Sequence, residues 1–147
     1  MKSLIFLLVS SLWMSSLEWG GDFEKAKAEA NQNHKFILLN FCGSDWCGPC
    51  IKLKKDIFES SDFEQYAASR LVLVRADFPR LKKNQLEPHQ TAHNETLAEK
   101  YNPQGKFPFT VLLDAQGKVI KQWDGYPTSM NTLTFIHDIS TTLDVAK

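Results

Sequence analysis

The stretch FILLNFCGSDWCGPC, residues 36–50, joins an almost continuous apolar run to a closely spaced pair of cysteines. The run from Phe36 to Phe41 is typical of a β-strand that is buried on both faces, in a sheet covered by helices. Gly43 breaks the run, and a helical stretch is expected from about Cys47. A Cys-x-x-Cys pair that follows a buried strand and opens a helix is typical of a dithiol redox motif.

The spacing of the two cysteines predicts different roles for their sulfurs. At a helix N-terminus, Cys47 lies near unsatisfied N–H groups, so its pKa should fall from about 8.5 towards roughly 7. Cys50 lies one turn deeper on the same face, where it can form a disulfide and should be less exposed. We therefore expect Cys47 to attack and Cys50 to resolve the mixed disulfide. Pro49 suits the first helical turn, which does not need its N–H.

The first half of the chain predicts a β-α-β unit. Asp22 is placed to cap a short helix before the first strand. Ser61 and Glu64 form a capping-box pattern for a further helix, and residues 71–74 have the pattern of a second buried strand. Strand, helix and strand in this order, joined by short loops, predict a parallel pair with a right-handed crossover.

The second half predicts a β-β-α unit. Residues 80–93 are polar and are expected to form a surface loop or a loose helical excursion, after which Asn94 caps a helix. Residues 109–113 and 119–123 are expected to pair as an antiparallel hairpin. A closing helix then buries one apolar face. The residues of that face are Leu133, Ile136, Ile139 and Leu143. The predicted fold class is α/β, with a central mixed sheet and helices on both faces.

Composition and charge limit the class of partner. The 147 residues include 17 Lys+Arg and 17 Asp+Glu, and 43% are apolar, which is ordinary for one compact domain. A formal charge of zero argues against nucleic acid or an anionic membrane as a partner. Three cysteines are too few for a disulfide scaffold, so the thiols are expected to perform chemistry.

Residues 1–16 have the layout of a secretory signal. Lys2 supplies a positive charge, and an apolar run from Leu4 to Met14 is too short to span a bilayer comfortably. Cleavage after Ser16 would place Met14 where a small residue is preferred, so an uncleaved anchor stays an alternative, as does a buried N-terminal helix. We expect an exported, periplasmic or extracytoplasmic protein whose domain comprises residues 17–147.

The motif Trp46-Cys47-Gly48-Pro49-Cys50, the apolar strand before it, and Phe107-Pro108 ahead of a later strand resemble thioredoxin over about residues 22–143. The resemblance implies a thioredoxin-like fold with a cis-proline at Pro108 beside the dithiol. It also implies that backbone groups of Phe107 pair with a substrate strand. We further expect Trp46, Phe107 and Tyr126 to form an apolar rim for extended or unfolded substrates.

The longer stretch from Gly43 to Cys47, together with the signal-like segment and the polar excursion before Asn94, is similar to exported thioredoxin-like proteins of the DsbH kind. Such proteins are periplasmic thiol reductases. Gly48-Pro49 between the cysteines matches reducing thioredoxins near about −270 mV rather than strong oxidants near roughly −120 mV. The resemblance implies a reductase of protein disulfides. Because an exported reductase must itself be reduced again, we also expect a membrane electron donor of the DsbD type. Nothing resembles a dimerisation domain, so we expect a monomer.

The alternatives to a reductase are an oxidase or isomerase of the same fold, or a non-catalytic binding or chaperone module. The intact cysteine pair argues against the module. A structural disulfide that closes so short a loop would stabilise little.

Cys42 extends the pattern to C-x4-C-x2-C, but a fourth iron–sulfur ligand is absent from the sequence. His89 and His93 lie in polar surroundings unsuited to zinc. We expect no metal or other cofactor, and a buried free thiol at Cys42.

Asn40 departs from the thioredoxin pattern, which usually has a buried aspartate here that helps to take a proton from the resolving thiol. An amide cannot act as that base. Water, a nearby carboxylate such as Asp45, or a slower resolving step are the alternatives. Asn40 has an equally strong structural interpretation as a buried amide paired with neighbouring backbone.

Overall fold

A five-stranded mixed sheet lies at the centre of the computed structural model, which describes residues 17–146. The elements in chain order are β1 (Trp19–Gly20), α1 (Phe23–Asn33), β2 (Phe36–Cys42), α2 (Gly48–Leu53), α3 (Ser61–Arg70), β3 (Leu71–Asp77), α4 (Pro88–Tyr101), β4 (Phe109–Leu113), β5 (Val119–Asp124) and α5 (Thr132–Val145). A π-helical turn (Lys54–Phe58) continues α2, and a 3-10 turn (Lys82–Asn84) precedes α4. The predicted signal segment, residues 1–16, lies outside the described residues.

The strands are arranged in the order β1-β3-β2-β4-β5. β2 is parallel to β3 and antiparallel to β4, and β4 is antiparallel to β5. This confirms the predicted α/β fold with a mixed sheet built from a β-α-β and a β-β-α unit. The edge strand β1 was not predicted, because the two residues Trp19 and Gly20 are too few to show a periodic pattern. In the part of the chain described, no helix is both long and apolar enough to cross a membrane.

The sheet separates two apolar clusters, as a strand buried on both faces requires. Ile37, Leu39 and Phe41 of β2 pack with residues of α1 and α4, whereas Leu38 packs with residues of α2, α3 and α5. Successive side chains of a strand point to opposite faces, so Asn40 shares the face of Leu38. Asn40 and Cys42, at the C-terminal end of β2, therefore lie on the side of the helix that carries the cysteine pair.

The predicted capping box at Ser61 and Glu64 is wrong by one residue. The cap of α3 is Ser60, whose hydroxyl accepts a hydrogen bond from the N–H of Phe63 at 3.3 Å. Two adjacent serines leave the cap ambiguous in the sequence, since either hydroxyl can accept such a bond.

The helix predicted to be capped by Asn94 has its N-cap seven residues earlier, at Glu87, and begins at Pro88. Proline suits the first turn of a helix because its missing N–H has no partner to lose there. Asn94 is 1% exposed, and its amide donates to the carbonyl of Asp77 at 2.9 Å while its oxygen accepts from Gln90. The buried face of this helix thus includes a hydrogen-bonded amide side chain, and a search for apolar residues does not identify such a position.

The buried face of α5 also differs from the prediction. Leu133 is 68% exposed and Ile136 is partly buried, whereas Phe135, Ile139 and Leu143 enter the core. These three residues lie four apart on one face of the helix. That face includes the large ring of Phe135, so it buries more apolar area than the face that contains Leu133 would.

Candidate active site

The cysteine pair lies where β2 passes into α2. Cys47 is the N-cap of α2, and its sulfur is bonded to that of Cys50, with an S–S distance of 2.05 Å and Cα atoms 5.2 Å apart. The Cys47 sulfur also accepts the N–H of Cys50 at 3.3 Å, and the Cys47 N–H donates to the carbonyl of Gly43 at 2.9 Å. Both cysteines are 5% exposed, so the predicted difference in exposure is wrong for the disulfide form.

Two aromatic side chains, Trp46 and Phe107, pack beside the disulfide, and a third, Phe78, packs against Phe107. The peptide bond between Phe107 and Pro108 is cis, as the resemblance implies. The Phe107 ring contacts the ring of Trp46 at a centroid distance of 5.4 Å and that of Phe78 at 5.6 Å. Tyr126, which we expected in this rim, instead packs against the core under α5, and its hydroxyl donates to Asp56.

Phe78 was missed by the sequence analysis. It directly follows β3, and the carboxyl ends of parallel strands meet at one edge of a sheet. That rule places Phe78 beside the end of β2 and could have identified it.

Trp46 is held in one orientation by contacts on several sides. Its indole N–H donates to the carbonyl of Phe78 at 2.7 Å, and the guanidinium carbon of Arg80 lies 3.8 Å from its ring centroid. Gly43 lies against the ring so closely that a Cβ atom there would be 2.1 Å from a ring carbon. The orientation of Trp46, the residue that precedes Cys47, is therefore set by backbone contacts at Gly43 and at Phe78.

Asp45 anchors the segment that follows β3. Its carboxylate accepts the N–H groups of Arg80 and Leu81 and the side-chain amide of Asn84, each at 2.9 Å. The hydrogen bond from the Arg80 backbone, followed by those from Asn84 and Leu81, holds the pKa of Asp45 below its usual value. Asp45 does not line the cavity beside Cys50, so it is not placed to take a proton from that thiol.

Asn40 is a satisfied buried amide. It is 3% exposed, and its Nδ2 donates to the hydroxyl of Thr110 at 3.0 Å, a side-chain partner rather than the backbone that we expected. A cavity of about 110 Å³ lies beside it. The cavity is lined by Asn40, Cys42, Ser44, Cys50, Ile51, Lys54 and Arg75. None of these described lining residues is a carboxylate. The lining includes the polar side chains of Asn40 and Ser44, and a cavity of this size with such hydrogen-bond partners can hold water.

Cys42 is the last residue of β2 and is a buried free thiol, as predicted. Its sulfur donates to Oδ1 of Asp77 at 3.6 Å. Burial, followed by the charge of Asp77, raises the pKa of Cys42 to about 12. Because the thiolate is the nucleophilic form, Cys42 is unreactive at neutral pH.

The raised pKa of Cys42 predicts an alkaline loss of stability. The unfolded thiol ionises near pH 9, whereas the folded thiol keeps its proton to about pH 12. The contribution of Cys42 is therefore complete below pH 9 and is lost as the pH rises through that window, at roughly 1 kcal/mol per pH unit. The loss is measured as the difference between the free energies of unfolding of the oxidised protein in urea at about pH 8 and about pH 10. Cys42→Ala lacks this loss but retains every lysine and tyrosine, so equal pH dependence in the two proteins would contradict the assignment.

His93, considered as a zinc ligand above, has a structural role. Its Nε2 accepts the N–H of Phe23 at 3.2 Å and so joins α4 to the start of α1. Among residues 17–146, no group of three or more histidine, cysteine or carboxylate side chains is arranged to hold a metal ion.

The comparisons with known proteins agree with this geometry. A family model described as thioredoxin-like matches residues 18–115. The chain is 39% identical over 104 residues to the disulfide bond reductase DsbH of Chlamydia pneumoniae, an alignment that covers 71% of this chain and 60% of that protein. It is 28% identical over 105 residues to the thioredoxin-related protein DsbJ of the same organism, covering 71% and 29% respectively. The matches thus span less than two thirds of the length of either curated relative.

Solved structures give matches over more of the chain. A structure of a DsbH oxidoreductase superposes with a TM-score of 0.78 at 29% identity, covering 97% of this chain and 95% of the other. A disulphide isomerase from Xylella fastidiosa Temecula1 superposes with a TM-score of 0.60 at 22% identity, covering 80% and 87%. The second likeness is one of fold alone.

Proposed function

This chain belongs to the thioredoxin-like family, and from that premise we propose that it is a thiol:disulfide oxidoreductase that acts as a reductase of protein disulfides. The observation that carries the proposal is the Cys47–Cys50 disulfide at the start of α2, directly after a buried strand and beside the cis bond at Pro108. Similarity to a disulfide bond reductase over 71% of the chain supports the same direction of electron flow.

Reduction of a substrate takes two exchange steps. The thiolate of Cys47 attacks one sulfur of the substrate disulfide, the substrate S–S bond breaks, and a mixed disulfide forms while the other substrate sulfur leaves as a thiolate. Cys50 then loses its proton and attacks the sulfur of Cys47. This closes the Cys47–Cys50 disulfide, breaks the mixed disulfide and releases the reduced substrate. Two electrons have passed from the dithiol to the substrate.

The proton of Cys50 needs an acceptor in the second step. Asn40 cannot supply one, and Asp45 is engaged with residues 80–84. Water in the cavity that Cys50 and Asn40 share is the acceptor consistent with this arrangement. Trp46 and Phe107 pack against the disulfide and form the apolar floor on which a substrate segment would lie.

Export completes the proposal. The signal-like residues 1–16 would direct the chain out of the cytoplasm, with cleavage near Ser16 or retention as an anchor as the two outcomes. A reductase working there must be reduced again after each turnover, which calls for a membrane dithiol donor of the DsbD type. The substrates in this scheme are exported proteins that contain disulfides.

The equilibrium reduction potential of the Cys47/Cys50 pair tests the direction of electron flow. We expect a value near about −270 mV when the purified protein is titrated against glutathione and dithiothreitol buffers. A value near about −120 mV would overturn the reductase assignment, since each ~30 mV corresponds to about 1.4 kcal/mol for two electrons. The absence of any reversible two-electron couple would overturn the oxidoreductase itself.

A further inference from the structure

We propose that exposed cations beside the dithiol form a docking site for an acidic segment of a partner protein, next to the partner's own disulfide. This rests on the proposed function, because it names the kind of substrate that the dithiol would reduce. The cations are Arg80, Lys82 and Lys83, termed the basic rim, and all three are exposed. The segment from 78 to 86 that contains them has no acidic residue.

The basic rim is held beside the dithiol by defined contacts. The guanidinium of Arg80 stacks at 3.8 Å on the ring of Trp46, the residue before Cys47. Asp45 binds the backbone of Arg80 and the side chain of Asn84, so both ends of the turn that carries the two lysines are tied to the loop before the dithiol. A run of charges is usually only a solvated face, but here its position relative to Cys47 is set by defined bonds.

The basic rim keeps a net positive charge. Within residues 17–146, none of its three side chains makes an ion pair, whereas Lys54, Lys106 and Lys121 each do. The nearby carboxylate of Asp45 binds only neutral N–H groups, so it keeps its charge and offsets one of the three positive charges. Because the whole chain has a formal charge of zero, the attraction of an anionic segment depends on local groups of cations such as this one rather than on the net charge.

Apolar surface next to the basic rim completes the site. Leu81, between the cations, is 48% exposed. The ring of Trp46, on which Arg80 lies, packs together with Phe107 against the disulfide cluster. A guanidinium can bind a carboxylate through two parallel hydrogen bonds. The matching partner is an extended segment with aspartate or glutamate within a few residues of the cysteine that Cys47 attacks.

Three peptide disulfides that differ only in the residues flanking each cysteine test this inference. With glutamate, glutamine or lysine at those positions, we expect kcat/KM for the glutamate peptide to exceed that for the glutamine peptide about tenfold in about 20 mM NaCl. The lysine peptide should be the slowest. In about 500 mM NaCl the preference should fall to roughly twofold, because exposed charges are screened.

Variants locate the preference on the molecule. The triple variant Arg80→Gln, Lys82→Gln and Lys83→Gln should lower the glutamate-to-glutamine ratio to about twofold in low salt. The double variant at Lys82 and Lys83 alone, whose side chains make no hydrogen bond or ion pair in the described chain, should lower it part of the way. A matched control removes the same charge at the opposite end of the sheet and should keep the full ratio. Its substitutions are Arg70→Gln, Lys100→Gln and Lys118→Gln.

The outcomes separate this inference from the function on which it rests. Equal rates for the three peptides in low salt, or an equal loss of preference in the control triple variant, would overturn the acidic docking site and leave the reductase standing. Failure of the unmodified protein to reduce any of the three peptides would overturn both.

Discussion

Replacing Cys50 with serine is expected to lower turnover by at least about a thousandfold and to leave the protein covalently joined to its substrate through Cys47. Cys47 can still attack, because its own sulfur is unchanged. The second step fails because a serine hydroxyl is not ionised near neutral pH and does not displace a thiolate. The fold should persist, since the disulfide closes a loop of only three residues' separation.

Non-reducing electrophoresis and mass spectrometry detect the adduct as a species of higher mass that dithiothreitol removes. The double variant Cys47→Ser, Cys50→Ser should form none, although it retains Cys42. Cys42→Ala should keep turnover within about twofold, because the thiol at that position holds its proton at neutral pH. An adduct mapped to Cys42, or turnover by Cys50→Ser above about a tenth of the unmodified rate, would contradict the assigned roles.

The central part of the fold could be predicted from sequence because its signals are local. The apolar run 36–41 and the cysteine pair that follows it lie within fifteen consecutive residues, and β2 and α2 formed where those patterns predict. The start of α4 could not be predicted in the same way. Its buried Asn94 is stabilised by Asp77, 17 residues away, and such a partner is unknown until the chain is folded.

The surroundings of the dithiol show the same limit. Trp46 and Phe107 were identified because they lie next to the motif and the cis-proline, which the family resemblance marks. Phe78 and Arg80 reach the site through contacts with Trp46 and Asp45 that span 32 and 35 residues. In the sequence, residues 80–93 show only polar composition, which indicates exposure but not which surface the segment lies against.

Gly43→Ala is expected to lower the free energy of unfolding by about 3 kcal/mol and to reduce turnover of peptide disulfides at least about tenfold. A Cβ atom at this position would lie 2.1 Å from a carbon of the Trp46 ring, which no real contact allows. The ring would have to move. It would then lose its hydrogen bond to Phe78 and its contacts with Phe107 and Arg80. The apolar floor beside the dithiol and the anchor of the basic rim depend on that ring.

Gly20→Ala is the matched control, because a Cβ atom there meets only the carbonyl of Leu73 at an ordinary 3.7 Å. Its stability and turnover should stay close to those of the unmodified protein, within about 0.5 kcal/mol and about twofold. Urea unfolding gives the stability of each variant, and tryptophan fluorescence reports whether the Trp46 environment has changed. If Gly43→Ala were as stable and as active as Gly20→Ala, the ring of Trp46 would have another equally good position. Stacking on the ring would then not determine where Arg80 lies relative to Cys47, and the hydrogen bonds of Asp45 alone would hold the basic rim.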